Sequence, residues 1–295
     1  MPAPEASLVI STLGREHVLE RLFESLNHQT QKNFEVIVVD QNADDRLTEV
    51  LDQARWNFPV THVHRPDVRG LSRGRNIGWR LAKSQFVLFP DDDCWYPPWF
   101  LQYGLDSLRQ KHLAILCGRC TDITGRSINA RFSSRSHIID RRNVWTGQME
   151  AFSFFSRETL ISTGGFDEQL GVGAASPWQA AEGPDLIIRS IKLGFKCYFD
   201  PALHGYHEEY DISEPGRRMI RKARAYARGM GFVLRKHNYG LSCVTYWVMR
   251  SLFNTARHLL MGKTMSALFY YSVACGRLEG WLGLTTNAYH WDQDF

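Results

Sequence analysis

No stretch of this sequence reaches the roughly 18 uncharged apolar residues that a helix needs to cross a bilayer, so no spanning helix is expected. The opening residues MPAPEASLVISTLGRE lack a basic stretch followed by a long apolar one, and no signal peptide is expected either. Cysteine is sparse: six in 295 residues do not make a disulfide scaffold and read as buried or free thiols of a reducing compartment. Cys117 and Cys120 have the spacing of a redox pair, but they sit inside LAILCGRCTD, a strand-like run, which favours a structural role. Internal repeats and low-complexity tracts are missing, and so is a large charge imbalance. The net charge of +4 does not mark a nucleic-acid binder, which leaves its distribution to carry any meaning. What remains is an ordinary globular composition, 44% hydrophobic and 22% charged, in a chain long enough to bury a substantial core.

Up to about residue 120 the chain alternates strand-like and helix-like segments. SLVIST (7–12) and FEVIVVD (34–40) are short runs rich in branched apolar residues, as strands buried on both faces should be. Between them Val18, Leu19, Leu22, Phe23 and Leu26 fall on one helical stripe. VTHVHR (60–65) reads as a third strand, SRGRNIGWRLAKS as a helix and FVLFP as a fourth strand. PPWFLQYGLDSLRQK follows as a helix with prolines in its first turn. Such alternation predicts an α/β domain with a doubly wound, mostly parallel sheet, whose ligands bind at the C-terminal ends of the strands. Three polar clusters, STLGRE, DQNADD and PDDD, fall at those ends. Residues 121–200 read as a long irregular excursion, then a strand at AFSFFSR and a short helix closed by Gly164 and Gly165. A loop, a helix at LIIRSIKLG and a strand at KCYFD complete that part.

The run FVLFPDDDCWYPPWF ends a buried strand in three consecutive carboxylates, Asp91, Asp92 and Asp93. Like charges there repel and lose solvation, so something positive should sit among them. Carboxylates at a strand end facing a nucleotide-sized crevice suit Mg²⁺ or Mn²⁺, which take oxygen ligands shared with phosphates. A helix N-cap explains one aspartate but not three.

Taken together and in order, these segments resemble an inverting family 2 glycosyltransferase with the GT-A fold, of the kind that builds bacterial surface polysaccharides. The resemblance runs from about Ser7 to Glu209. VISTLGR resembles the family's first strand and loop, and FEVIVVDQNADD its second strand with a nucleotide-contacting aspartate, here Asp40. RGLSRGRNIGWRLAKSQFVLFPDDD is the most specific match, while GGFDEQLG and AEGPDLIIRSIKLGFKCYFDPALHGYH resemble acceptor-side motifs.

The resemblance implies a GT-A, nucleotide-diphospho-sugar transferase domain over residues 1–212, and the change of composition beyond it marks a helical, basic appendage over 213–295. It implies hexosyl or deoxyhexosyl transfer from a nucleotide-sugar donor to a hydroxyl of a growing glycan, free or lipid-linked. Thr12, Arg15, Asp40, Arg75, Asn76, Asp91 and Asp92 are then expected to contact the nucleotide. For Asp40 the alternative is a turn or helix-cap aspartate, and for Arg75 and Arg15 a solvated surface arginine. Asp93 and Asp91 are the expected metal ligands, although the family's D-x-D can also be shifted so that Pro90 replaces its first aspartate. His207 matches a histidine that completes the metal shell in some relatives; the alternative is a structural histidine. The family's usual base lies at the second position of an ED pair, and Gly183 occupies it here. Glu182 is the expected replacement, the alternative being a helix N-terminal glutamate favoured by the dipole, with Asp185 holding the helix or an arginine. Trp178 either stacks on an acceptor sugar or fills core.

After Pro215 the segment RRMIRKARAYARGMGFVLRK holds eight cations and no acid, and an aromatic, helix-compatible segment follows. Cations without a counter-ion beside Trp, Tyr and Phe suit a helix on an anionic membrane, which places the protein in the cytoplasm at the inner face of the plasma membrane. A basic helix packed on the catalytic domain is the plain alternative; nucleic acid is not an expected partner, because no reading motif is present. Two rivals to sugar transfer are a nucleotidyltransferase, for which STLGRE offers a single glycine, and a non-catalytic nucleotide- or glycan-binding partner.

Overall fold

The computed structural model describes residues 3–284, apart from the side chains of Glu16 and His17. They fall into two units, one made of residues up to Phe166 with Leu186–Glu209, the other of Asp167–Asp185 with the residues from Tyr210 on.

The first unit is built on a sheet. In chain order it contains β1 (Ala6–Thr12), α1 (Glu16–Asn27), β2 (Phe34–Asp40), β3 (Val60–His64), α2 (Leu71–Leu81), β4 (Phe86–Leu88), α3 (Phe100–Gln110), β5 (Ile115–Thr121), β6 (His137–Ile138), β7 (Ser153–Ser156) and α4 (Arg157–Thr163). Helix α5 (Glu182–Lys192) straddles the division, and β8 (Cys197–Tyr206) completes the sheet. The strand order is β3-β2-β1-β4-β7-β5-β8-β6, with β3, β2, β1 and β4 mutually parallel. Every residue of β1 and β2 is buried, which is why both read as continuous apolar runs rather than alternating ones. On α1, Leu19, Leu22, Phe23 and Leu26 are buried as the stripe predicts, while Val18 is only half-buried. Gly74 and Gly78 let α2 lie against β1, since a Cβ at either position would strike Ser11 or Val9.

Two local expectations need correcting. Pro97 and Pro98 do not form the first turn of α3, which starts at Phe100 behind Trp99. They form the turn before it, where the Pro97 carbonyl accepts from Gln29 Nε2 at 2.9 Å and the Pro98 carbonyl from the Thr30 amide at 2.7 Å. A residue ahead of proline is steered away from helical geometry, and Pro98 does this to Pro97. The excursion after β5 is irregular as expected, apart from β6, whose two residues pair antiparallel with β8.

The order of strands places the crevice. The chain runs from β1 out through β2 to β3 and then crosses back to β4 on the other side of β1, so the strand order reverses between β1 and β4. Leu8 is level with Leu88 and Thr12 with Asp40, so Thr12, Asp40 and the residues just past β4 meet at one edge.

The second unit is helical: α6 (Arg217–Lys236), α7 (Leu241–Leu260) and α8 (Thr264–Leu282), joined by the loop 167–181 and the start of α5. Helices α6 and α8 approach backbone to backbone, because Gly276 and Gly280 face the Arg224 and Arg228 carbonyls and Gly231 faces that of Arg277. The basic run on α6 does have counter-ions, contrary to expectation. Arg224 Nε and Arg228 Nε donate to Glu279 at 3.1 Å and 2.6 Å, and Lys236 reaches Asp167 at 2.6 Å and Asp185 at 2.7 Å. Those acids lie outside the run itself, on α8, on α5 and in the preceding loop. No described helix is long and apolar enough to cross a membrane.

Candidate active site

Past Leu88 the chain turns through Asp91–Asp93, with the Asp91 carbonyl accepting from the Cys94 amide at 3.3 Å. The turn sends the three side chains to different partners. Asp91 receives Arg75 at 2.9 Å. Asp92 Oδ2 accepts from the Thr12 hydroxyl at 2.6 Å, and its Oδ1 from Arg15 at 3.3 Å. Asp93 Oδ2 pairs closely with Arg15, while its Oδ1 lies 3.1 Å from His207 Nε2. The positive groups among the carboxylates are therefore Arg15, Arg75 and the imidazole of His207.

Their environments separate Asp92 from Asp93. Burial pushes the Asp92 carboxyl up to about 6, against the Thr12 hydrogen bond and the Arg15 charge. Burial raises Asp93 too, but the His207 hydrogen bond and charge, with Arg15, outweigh it and hold Asp93 at about 2. For His207, burial disfavours the charged ring, yet the bond to Asp93 and its charge raise the imidazole above its ordinary value. Arg75 is no surface arginine: 2% exposed, it sits between Asp91 and the Phe166 ring, whose centroid is 5.3 Å away. A guanidinium taken out of water needs such a partner.

At the end of β2, Asp40 is buried and both its oxygens are engaged. Oδ1 accepts from the Asn42 amide at 2.9 Å and Asn42 Nδ2 at 2.8 Å, and Oδ2 lies 3.0 Å from His62 Nε2. Asn42 Oδ1 in turn accepts from the Gly14 amide at 2.6 Å, tying the loops after β1 and β2 together. His62 and His64 stack with ring centroids 5.8 Å apart on the edge strand β3. The sequence reading passed over Asn42, His62 and His64. The signal was present: the alternation in VTHVH puts both rings on one face of a strand.

Three assigned residues are not part of this cluster. Asn76 faces its own chain, its Oδ1 accepting from the Phe166 amide at 2.9 Å and its Nδ2 donating to the Phe166 carbonyl at 2.9 Å. Trp178 is buried and stacks on Phe232 at 4.7 Å and 14°, so it fills the core of the helical unit rather than offering a face to a sugar. Asp185 is wholly buried and holds Lys236 at 2.7 Å and His237 at 2.8 Å. Glu182 opens α5 and is 7% exposed.

Among the described residues no cluster of three His, Cys, Asp or Glu has the geometry to hold a metal alone. A magnesium-like ion does not need one, since it keeps waters and takes phosphate oxygens beside one or two protein ligands. Asp93 Oδ1 and His207 Nε2 fit that role, because neighbouring ligands of an octahedral ion at 2.0–2.1 Å lie about 3 Å apart. His207 Nδ1 lies 2.6 Å from the Glu208 carbonyl, and with its proton held there, loss of the Nε2 proton that bonds Asp93 would leave Nε2 as the lone pair for a metal.

Residues 7–165 match the family model described as Glycosyl transferase family 2. The chain belongs to that family. A glycosyltransferase of Haemophilus influenzae described as uncharacterized is 38% identical over 92 residues, 31% of this chain and 30% of its own. The GalNAc(5)-diNAcBac-PP-undecaprenol beta-1,3-glucosyltransferase of Campylobacter jejuni is 25% identical over 189 residues, 59% of each chain. The family 2 chain described here thus spans less than two thirds of either relative. A mannosyltransferase from Pyrobaculum calidifontis, solved with GDP-Man and Mn²⁺, superposes with a TM-score of 0.60 over 94% of this chain and 88% of its own, at 15% identity. That likeness shows the fold, and the expected GT-A architecture is the one found.

Proposed function

We propose that this protein transfers a sugar from a nucleotide-sugar donor to a hydroxyl of a growing glycan, with inversion. The observation that carries the reading is the aspartate triplet at the parting of β1 and β4, with Arg15, Arg75, Thr12 and His207 arranged around it. A diphosphate leaving group gains charge as the glycosidic bond breaks, and donors fixed in advance stabilise that charge without reorganising. Arg15 and Arg75 supply fixed positive charge beside the triplet. Asp93 and His207 would hold Mg²⁺ or Mn²⁺, and a divalent ion bound there supplies Lewis-acid stabilisation of the diphosphate. The Pyrobaculum relative's GDP-Man and Mn²⁺ support the donor class and the metal.

Glu182 is the general base in this reading. It must take the acceptor's proton as the hydroxyl attacks, and Asp185 is poorly suited because Lys236 and His237 hold it in place. The acceptor is a lipid-linked glycan, by analogy with the undecaprenol-linked substrate in the Campylobacter relative's name, and the basic helical unit serves at an anionic membrane surface. A panel of sugar nucleotides tests the core of the reading, by thermal shift for binding and by release of nucleoside diphosphate with Mn²⁺ present. Binding together with turnover supports it. Binding without turnover of any donor points instead to a non-catalytic nucleotide-binding partner, and release of pyrophosphate to a nucleotidyltransferase.

A further inference from the structure

Helix α7 is buried along one side only. Val244, Val248 and Ser251 are its buried residues, and it rests on α8, where Arg277 donates to the Trp247 carbonyl and to Ser251 Oγ. Away from that side it presents Tyr246, Met249, Phe253 and Leu260 at 58%, 55%, 69% and 90% exposure, with Ala256 exposed among them. Steps of three and four residues place all five within about 80° of arc on the helix, a continuous apolar stripe facing water. Single apolar residues on a surface are ordinary; a contiguous row marks a contact surface.

The charges carried by these helices narrow what that contact is. Arg250 and Arg257 follow one edge of the stripe by helical position. From Arg217 to Leu284 the sequence holds twelve Lys or Arg and one acid, Glu279, which Arg224 and Arg228 engage. An open cavity of about 420 Å³ is lined by Arg217, Ile220 and Arg221 of α6 with Leu268 of α8. Its surface is almost wholly apolar, so the aliphatic stems of the two arginines line it and their guanidiniums are left to its rim, an arrangement that suits an anionic head group carrying hydrocarbon. A second copy of the chain on the same stripe would set Arg250 and Arg257, which flank it, against their own counterparts. Nucleic acid would satisfy the cations and leave the stripe in water. An anionic bilayer satisfies both.

We infer that α7 lies in the interfacial layer of an anionic phospholipid bilayer, with the stripe from Tyr246 to Leu260 in the acyl-chain boundary and Arg217 and Arg221 on a lipid phosphate. This rests on the membrane association proposed above and not on the sugar chemistry.

Flotation of the full chain with phosphatidylcholine vesicles, with and without phosphatidylglycerol, tests it. The intact protein should bind the anionic vesicles, less as salt rises. Phe253→Asp should weaken that binding at least tenfold, and Met249→Asp should do the same, with thermal melting to verify that both fold. Arg217→Ala combined with Arg221→Ala should weaken binding to anionic vesicles about 30-fold, since each cation near such a surface contributes about fivefold. No preference of the intact chain for anionic lipid overturns the inference, as does equal binding by wild type and both stripe variants. So does an oligomer, seen by sedimentation, that Phe253→Asp dissociates while vesicle binding is unchanged. Nucleotide-sugar binding is read separately: its absence in the wild type would refute the catalytic reading and leave the bilayer result intact.

Discussion

Thr12, the last residue of β1, donates its hydroxyl to Asp92 at 2.6 Å, although 80 residues separate them in sequence. The bond crosses the point where the sheet's connections part, so it links the crevice's two walls. Thr12→Val deletes the donor at nearly constant shape. A hydrogen bond to a carboxylate contributes about 1.5–3 kcal/mol, and urea unfolding should show that loss, with weaker donor binding beside it. If the variant unfolds with its parent, the β4 turn alone sets Asp92.

Asp93 joins Arg15 and His207 through its two oxygens. Asp93→Ala should abolish turnover, weaken nucleotide binding and remove the response to Mn²⁺, and Asp91→Ala should follow closely. Full activity of the wild type in EDTA would rule out the metal role.

Glu182 and Asp185 sit three residues apart and should fail in different ways. Glu182→Gln should lower kcat by about 10²–10⁴, the usual contribution of a general base, with donor binding and melting temperature near normal. Asp185→Asn should instead lower the melting temperature, because it strips a buried carboxylate from Lys236 and His237. Should Glu182→Gln turn over at the parental rate while a folded Asp185→Asn is dead, the base is Asp185.

The helical unit should lose stability in acid through Glu279. Burial raises this carboxyl, but its bonds to Arg224 and Arg228 outweigh that and hold it below the ordinary glutamate value. A group with a depressed native pKa stabilises above its unfolded value and loses that contribution as pH falls through the native one. Circular dichroism melts should therefore show a decline in stability below about pH 4.5. Glu279→Gln should remove that share of the acid sensitivity and cost about 3 kcal/mol near neutrality, by taking the carboxylate from buried Arg228. An unchanged acid slope in the variant would assign the sensitivity elsewhere.

The sheet was legible because β1 and β2 are buried on every residue and α1 on one stripe, patterns that depend only on neighbours in sequence. The triplet was legible as a charge anomaly at a strand end. Its partners were not, since Arg15 lies 78 residues before Asp93 and His207 lies 114 after it. The basic run on α6 misled for the same reason: Arg224 finds its acid 55 residues downstream. Trp178 could be read either way, because no local pattern tells a ring stacked on Phe232 from one offered to a ligand.

The helical unit is assembled from two separate lengths of chain, and synthesis delivers them at different times. Asp185 leaves the ribosome 52 residues ahead of His237. At about 5–20 residues per second that is a wait of roughly 3–10 seconds. For most of it, Trp178 exists without the ring it stacks on, and Asp185 without either cation that holds it in the finished protein. Nascent chains halted between residues 185 and 232 should therefore be more open to proteolysis across 167–185 than chains carried past His237, and a chaperone that captures exposed aromatics would find its target in that interval.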